Sequence, residues 1–341
     1  MKSVGLRALV LSGPAMPSGF NDMACKPAAS LADGISATDP VSQILAIQGK
    51  DAHKAGEVGF LSRLLIQATL PHSEPENNEW SRTNGNFTMH MIAPSSVGLP
   101  YGCYARLLLV WITTQAVRNK LKIDKGYFSE QEACRLELGH SLSQFMAELG
   151  LLVTGGQQGT IERLRVQMCR LFKTTISVTY KEQCDDSQYF IEADMGARVS
   201  DASYIWWSVK SPEQNALWGS WVELSPRFFR LITDRPVPLD TRVLKLIKRS
   251  PMALDVYCWA TYRVSYLKVS TLVPWSSLMS QIGANYSATA QGRRDFKKRF
   301  LDALRKVKAA WPQLKATPTE KGLLLRPCAP HVARQSKGPE L

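Results

Sequence analysis

The chain has 341 residues, 45% hydrophobic and 21% charged, with 42 Lys+Arg against 29 Asp+Glu. That is an ordinary globular balance at a length that suits two domains. No stretch approaches the roughly 18 to 20 apolar residues of a membrane span, which excludes a helical membrane protein.

The charge is unevenly placed. Residues from Ser225 to Leu341 hold 22 Lys+Arg and 7 Asp+Glu, while the preceding 224 residues hold 20 and 22 and are near neutral. An excess confined to one segment points to polyanion binding there, and nucleic acid fits it better than a membrane surface or an acidic protein. Seven cysteines, Cys25, Cys103, Cys134, Cys169, Cys184, Cys258 and Cys328, form no C-x-x-C and no paired spacing with the five histidines. They support neither a zinc site nor a disulfide framework. Cys103, Cys169 and Cys258 fall in apolar-periodic runs, where a thiol packs as a small hydrophobe in a reducing compartment. The apolar run Ala8–Leu11 behind Lys2 and Arg7 is too short for a signal peptide, so a cytoplasmic protein is expected.

In chain order, residues 1–96 are rich in Gly, Pro, Ser, Ala and Asn. They predict a partly ordered lead-in with one helical patch over Val58–Leu70, built on Phe60, Leu61, Leu64 and Leu65. The texture changes at Gly98. After a Gly98–Gly102 turn, Tyr104–Lys122 sets Leu107, Leu108, Val110, Trp111, Thr114 and Val117 at helical spacing. Ser141 is a good N-cap for a short helix through Leu142, Phe145, Met146 and Leu149, stopped by Gly150. The turn-rich Thr154–Gly159 follows, and Thr160 is expected to cap a second helix. There Ile161, Leu164, Met168, Leu171 and Phe172 share one face, and Arg163, Gln167, Arg170 and Lys173 lie on the other. This is a helix-turn-helix order. Strands predicted over Ile176–Lys181, Gln188–Asp194, Tyr204–Val209 and Trp218–Leu224, with Asp185-Asp186-Ser187 as a turn, complete a winged helix. Its acidic turn suits a DNA-binding wing poorly. The domain is therefore expected to serve mainly in self-association through its aromatic strands (Trp206, Trp207, Trp218, Trp221), with Arg163, Gln167, Arg170 and Lys173 as auxiliary DNA contacts.

The same order then recurs without obvious sequence identity. Ser225-Pro226 opens a short helix over Arg227–Thr233, Pro236–Asp240 is read as a turn, and Thr241–Lys248 and Met252–Leu267 as helices. Pro274 sits at the first position of a helix over Trp275–Gly283, an Ala284–Gly292 turn leads into a long basic helix, and a Leu314–Pro327 hairpin closes the unit. The reading is an α+β chain of tandem winged-helix domains: lead-in 1–96, first domain 97–224, second domain 225–330 and a flexible tail 331–341.

The basic helix, Gly292–Trp311, carries the functional argument. With Phe296 at zero, Phe300, Leu304, Val307 and Trp311 fall within about 80° of it at about 100° per residue, a core stripe. Arg294, Lys298 and Arg305 lie opposite, Lys297 and Lys308 flank them, and Arg293 is at the N-terminal edge. A solvated face is the bland alternative. Asp295 and Asp302 are the only acids in the helix, however, so like charges repel by a few tenths of a kcal/mol per pair, and DNA contact is the better reading. As the second helix of a helix-turn-helix, it would present Arg293, Arg294, Lys297 and Lys298 to base edges and nearby phosphates, and Arg305 and Lys308 to backbone. Ser276 and Ser277 would meet phosphate at the start of the preceding helix, and Lys315, Lys321 and Arg326 would form a basic wing.

Several ordered motifs resemble the plasmid-encoded RepA family of replication initiators, from about Gly98 to Pro327: Gly98-Leu-Pro-Tyr-Gly102 with Ala105-Arg-Leu-Leu-Leu-Val-Trp111, Gly159-Thr-Ile-Glu-Arg-Leu-Arg-Val-Gln-Met168 with Arg170-Leu-Phe172, Leu224-Ser-Pro226, Pro236-Val-Pro-Leu-Asp240, and Ser250-Pro-Met-Ala-Leu-Asp-Val-Tyr-Cys-Trp259 with Thr261-Tyr-Arg263. The resemblance implies binding to a plasmid origin, commonly at repeated sites, and recruitment of host replication proteins. It also implies self-association through the first winged helix, giving a homodimer, and main origin contacts through the second.

Enzymatic signatures are missing. There is no G-x-x-x-x-G-K-S/T, and Gly155–Thr160 lacks the lysine and follows a helix, so ATP hydrolysis is not expected. No His-x-His is paired with a Tyr for a nickase. Asp185 and Asp186 read as a solvated turn rather than metal ligands, and His90, His140 and Arg263 as structural or surface residues. No cofactor, metal or membrane is implied. The rival readings are a transcriptional repressor on the same fold and a DNA-processing enzyme with an unrecognised site.

Overall fold

The computed structural model describes residues 39–183, 190–205, 219–282 and 286–333. Two short helices come first, α1 (Pro40–Gly49) and α2 (Ala52–Ala55). Each is opened by an aspartate that accepts backbone N–H groups, Asp39 from Ser42 and Asp51 from His53 and Lys54. Next come β1 (Val58–Ser62) and α3 (Arg63–Gln67), where one helical patch was predicted. The strand forms because it pairs antiparallel with the remote β9 (Pro236–Asp240), from Val58 opposite Asp240 to Ser62 opposite Pro236. β9 in turn replaces the predicted Pro236–Asp240 turn. Pro236 and Pro238 are tolerated because this ribbon has two strands and each keeps a free edge. β2 (Glu79–Asn84) and β3 (Phe87–Ile92) make a hairpin whose Met89 and Met91 are 0% exposed. Residues 39–96 are thus part of the body, not a partly ordered lead-in; their partners lie far along the chain, where composition cannot reveal them.

The first winged unit runs α4 (Gly102–Asp124), α5 (Glu130–Cys134), β4 (Arg135–Gly139), α6 (Leu142–Glu148), α7 (Thr160–Phe172), β5 (Thr175–Gln183), β6 (Phe190–Arg198), β7 (Ser200–Tyr204) and β8 (Ser220–Leu224). It departs from a plain winged helix in two ways. β8 lies between β4 and β7, and β5 and β6 extend the lead-in hairpin into a sheet ordered β2-β3-β5-β6. α7 is capped by Gly159 and not by Thr160. The Thr160 hydroxyl instead faces back into the preceding turn, accepting the Thr154 N–H at 2.9 Å. The Asp185–Ser187 turn and the predicted strand residues 188–189, 206–209 and 218, including Trp206, Trp207 and Trp218, lie outside the described residues.

α8 (Pro226–Thr233), β9 and α9 (Thr241–Ile247) connect to the second unit, α10 (Pro251–Val264), β10 (Thr271–Pro274), α11 (Trp275–Ile282), α12 (Ala290–Ala310), β11 (Ala316–Pro318) and β12 (Gly322–Leu325). Here the sheet order is β10-β12-β11. Helix, strand, helix, helix and hairpin, with the first strand beside the last, is the winged-helix arrangement. α11 and α12 are its helix-turn-helix and β11–β12 its wing.

The two units do not have separate cores. A single cluster of buried side chains runs from Ile47 to Leu325, crossed by α4, buried without interruption from Ala105 to Thr114, and α10, buried from Met252 to Thr261. Between these helices sits an ion pair. The Arg106 guanidinium grips the Asp255 carboxylate with two parallel bonds, Nε to Oδ1 at 2.7 Å and Nη2 to Oδ2 at 2.8 Å. Its remaining N–H groups donate to the carbonyls of Leu70 at 2.7 Å, Pro71 at 3.0 Å and Gly102 at 2.9 Å. His72 Nε2 completes the cluster at 2.8 Å from Asp255 Oδ2. Burial opposes ionisation of Asp255, but Arg106 and the His72 bond outweigh it and hold the carboxyl below its ordinary range. Burial also pushes the His72 pKa down, against the pull of Asp255.

The beginning of the predicted tail is also held. His331 Nδ1 meets the Tyr257 hydroxyl at 2.9 Å and Val332 is 1% exposed; residues 334–341 lie outside the described residues.

Removing one partner of so buried a pair strands the other, so Arg106→Ala is expected to lower unfolding free energy by about 3–5 kcal/mol in urea titration. His72 and Asp255 both have folded pKa values below their unfolded ones. Their contribution is therefore complete above about pH 6.5 and is lost as pH falls, through His72 first and Asp255 below it. A His72→Gln protein should show a flatter stability profile between pH 7 and 5.

Candidate nucleic-acid interface

α12 begins two residues before the predicted start because Thr289 Oγ1 accepts the Gly292 N–H at 3.1 Å. Gly292 tolerates no side chain, since a Cβ would come within 2.2 Å of the Ser287 carbonyl. The predicted core stripe is buried: Phe296, Phe300, Leu304, Val307 and Trp311 are each at most 3% exposed. Phe300 meets Trp259 of α10 edge-on at 6.4 Å and Trp275 of α11 at 5.7 Å. This stripe fixes which way the cations point.

On the outer face Arg293, Arg294, Lys298 and Arg305 are exposed, and Lys297 and Lys308 are half-buried. Arg293 donates to the Ala288 carbonyl at 2.7 Å, Arg294 to that of Ala290 at 3.3 Å and Lys308 to that of Ala316 at 3.4 Å. These contacts orient the side chains and leave their charge uncompensated. Among the described residues Arg305, with Asp302, is the one of these six cations that has a carboxylate partner. Asp295, bonded by Gln291 at 2.9 Å, and Asp302 lie together on one flank by helical arithmetic, beside the exposed Arg299 and Lys306. Arg299 and Lys306, absent from the sequence-based prediction, thus share their side of the helix with both of its acids.

Ser276 is exposed and Ser277 half-buried at the start of α11, and Lys315, Lys321 and Arg326 are exposed on the hairpin. The residue that joins these parts is Trp275. Its indole N–H donates to the carbonyls of Thr319 and Glu320 at the wing tip, both at 3.1 Å, while its backbone N–H donates to Lys321 at 3.3 Å. Lys297 lies 5.0 Å from the centre of the same ring. Sequence reasoning missed this role. In the structure Pro274, read as the first helical residue, instead ends β10, and the available signal was the Trp beside it, an amphipathic ring that needs an acceptor when covered.

In the first unit Arg163 and Lys173 are exposed, but Gln167 and Arg170 are not free for a duplex. Gln167 is 5% exposed and its Oε1 accepts the Tyr101 N–H at 2.8 Å. Arg170 donates to the Leu99 carbonyl at 3.3 Å, pairs with Glu74 and lies 5.1 Å over the Tyr101 ring. Helical arithmetic put both outside; the Gly98–Gly102 turn folds over that side of α7 and makes it an inner face.

A family model described as plasmid-encoded RepA protein matches residues 99–273, just over half of the chain. The chain belongs to the plasmid-encoded RepA family. Membership makes it a plasmid replication initiator. No curated protein matches the chain. Among solved structures, selenomethionine derivatives of domains 2 and 3 of RctB are similar at 10% identity and a TM-score of 0.47, covering 77% of this chain and 95% of that one. A second structure of RctB domains 2–3 gives 12% identity and a TM-score of 0.43, over 78% and 96%. The RepA match contains both Arg106 and Asp255 and ends at Val273, before α11 and α12. The case for the basic face is thus carried by its geometry. Among the described residues no group of three or more His, Cys, Asp or Glu is placed to hold a metal ion, and no helix is long and apolar enough to cross a membrane.

Trp275→Phe keeps the ring and deletes the bonds to the wing. Losing one such bond costs about 1 kcal/mol, so amide exchange at residues 319–322 should quicken by about fivefold to tenfold while the global unfolding midpoint moves little.

Proposed function

We propose that this initiator binds double-stranded origin DNA sequence-specifically through its second winged helix. The single observation that carries the reading is the outer face of α12, cations of which only Arg305 has a carboxylate partner among the described residues, on the second helix of a helix-turn-helix and fixed outward by a buried apolar stripe. In this arrangement Arg293, Arg294, Lys297 and Lys298 face the major groove, and Arg305 and Lys308 follow the backbone. Ser276 and Ser277 meet phosphate, and Lys315, Lys321 and Arg326 meet phosphate or minor groove from the wing. The first unit serves in self-association, with Arg163 and Lys173 as auxiliary contacts, and the complex recruits host replication proteins. Repeated origin sites fit such a chain.

If about five of these cations neutralise phosphates, log K falls against log salt with a slope near −4 to −5. Lys298→Ala should make that slope shallower by about one unit, measured by fluorescence anisotropy on DNA flanking the gene. An unchanged slope and affinity in Arg294→Ala/Lys298→Ala would remove α12 from the interface. Supplying the gene in trans to a plasmid carrying only the origin should support replication, and the double variant should fail to do so.

A further inference from the structure

Far from the basic face of α12 in sequence, the start of α4, the loop after α6, α7 and the α9–α10 junction enclose an open groove of about 810 Å³. Its walls are largely apolar, with Leu151, Val166 and Pro251 among its lining residues. Leu152 stands at its edge 71% exposed, and its neighbour Val153 is 37% exposed. Three cations line it: Arg163 from α7, and Lys248 and Arg249 from the α9–α10 junction. They are poorly compensated. The one acid lining the groove, Glu162, is taken by Arg165 through bonds of 2.8 and 2.6 Å. Burial lowers the Lys248 pKa, and neighbouring Arg249 and Lys245 lower it further; Lys245 has its anion in Glu57 at 3.1 Å, whereas the Lys248 ammonium donates to the Gly150 carbonyl and has no carboxylate partner among the described residues.

The chemistry narrows the occupant. Cys103 also lines the groove, but burial pushes its thiol up to about 11, so it offers no thiolate nucleophile at neutral pH. A duplex is too wide to enter a concave apolar slot and would meet only the exposed side chains of its rim, Arg163 among them. A single strand would need free aromatic faces on which bases stack. Of the two tyrosines here, Tyr101 has the Arg170 guanidinium over its ring at 5.1 Å, which leaves Tyr104 as a single platform where successive bases would need several. An apolar floor with a cationic rim instead complements a polypeptide that buries aliphatic or aromatic anchors and sets carboxylates against the rim.

We propose that this groove docks an acidic, apolar-anchored peptide segment of a partner protein. The inference deepens the recruitment part of the reading above by giving it a surface, and it is independent of α12.

The test selects a displayed library of random 12-residue peptides on the full chain and measures the winning peptide by anisotropy, with a dT12 oligonucleotide and the gene-flanking duplex as parallel probes. The winners should combine Asp or Glu with Leu, Ile, Phe or Trp. Leu152→Asp and Arg249→Glu, both at exposed positions, should each weaken the peptide at least tenfold, leave duplex affinity within about twofold and leave the unfolding midpoint unchanged. Neutral or basic winners, or peptide binding that survives both substitutions, would overturn the proposal while the duplex reading stands. So would dT12 binding that both substitutions abolish, since the groove would then hold a single strand. Loss of duplex binding in the unsubstituted chain would count against the α12 reading alone.

Discussion

The fold turns on the contact between Arg106 and Asp255. A buried carboxylate is costly unless its charge is matched and its oxygens are bonded, and here the guanidinium fork does both, from α4 onto α10. The other N–H groups of Arg106 hold the carbonyls of Leu70, Pro71 and Gly102, so one side chain fixes the entry to α4, the residues just after α3 and the central helix of the second winged unit. Everything on the functional side hangs from α10. It supports Phe300 of α12 through Trp259, and its first turn, Pro251, lines the groove.

Much of this was legible in the sequence, and the reason is physical. Both helix-turn-helix units, the basic helix and the closing hairpin follow from local periodicity and caps, which are properties of neighbouring residues. The stripe Phe296–Trp311 is such a case: once five apolar side chains share one face, the cations must take the other. The motif around Arg106 and the motif around Asp255 were both visible as family resemblances, but that they meet was not, because nothing in either segment encodes the distance between them.

What was illegible depends on partners far apart in the chain. β1 reads as helix because Phe60 and Leu61 fall in step with Leu64 and Leu65 of α3, and becomes a strand because β9 lies beside it. Pro236 and Pro238 read as a turn and are part of that strand. Gln167 and Arg170 read as an outer face, yet the Gly98–Gly102 turn covers them. Trp275 shows a related limit. Its neighbours announce a helix start, but its bonds to Thr319 and Glu320 exist only once the wing is folded.

The ribbon β1–β9 and the shared core have a consequence for descent by recombination. The two winged units look like interchangeable modules, each with its own helix-turn-helix, yet neither is self-sufficient. A chimera joined between them would inherit a guanidinium from one parent and a carboxylate from the other, and a ribbon whose two strands had never been selected together. Units joined in this way can be exchanged only together, because the buried charge and the ribbon each need both halves.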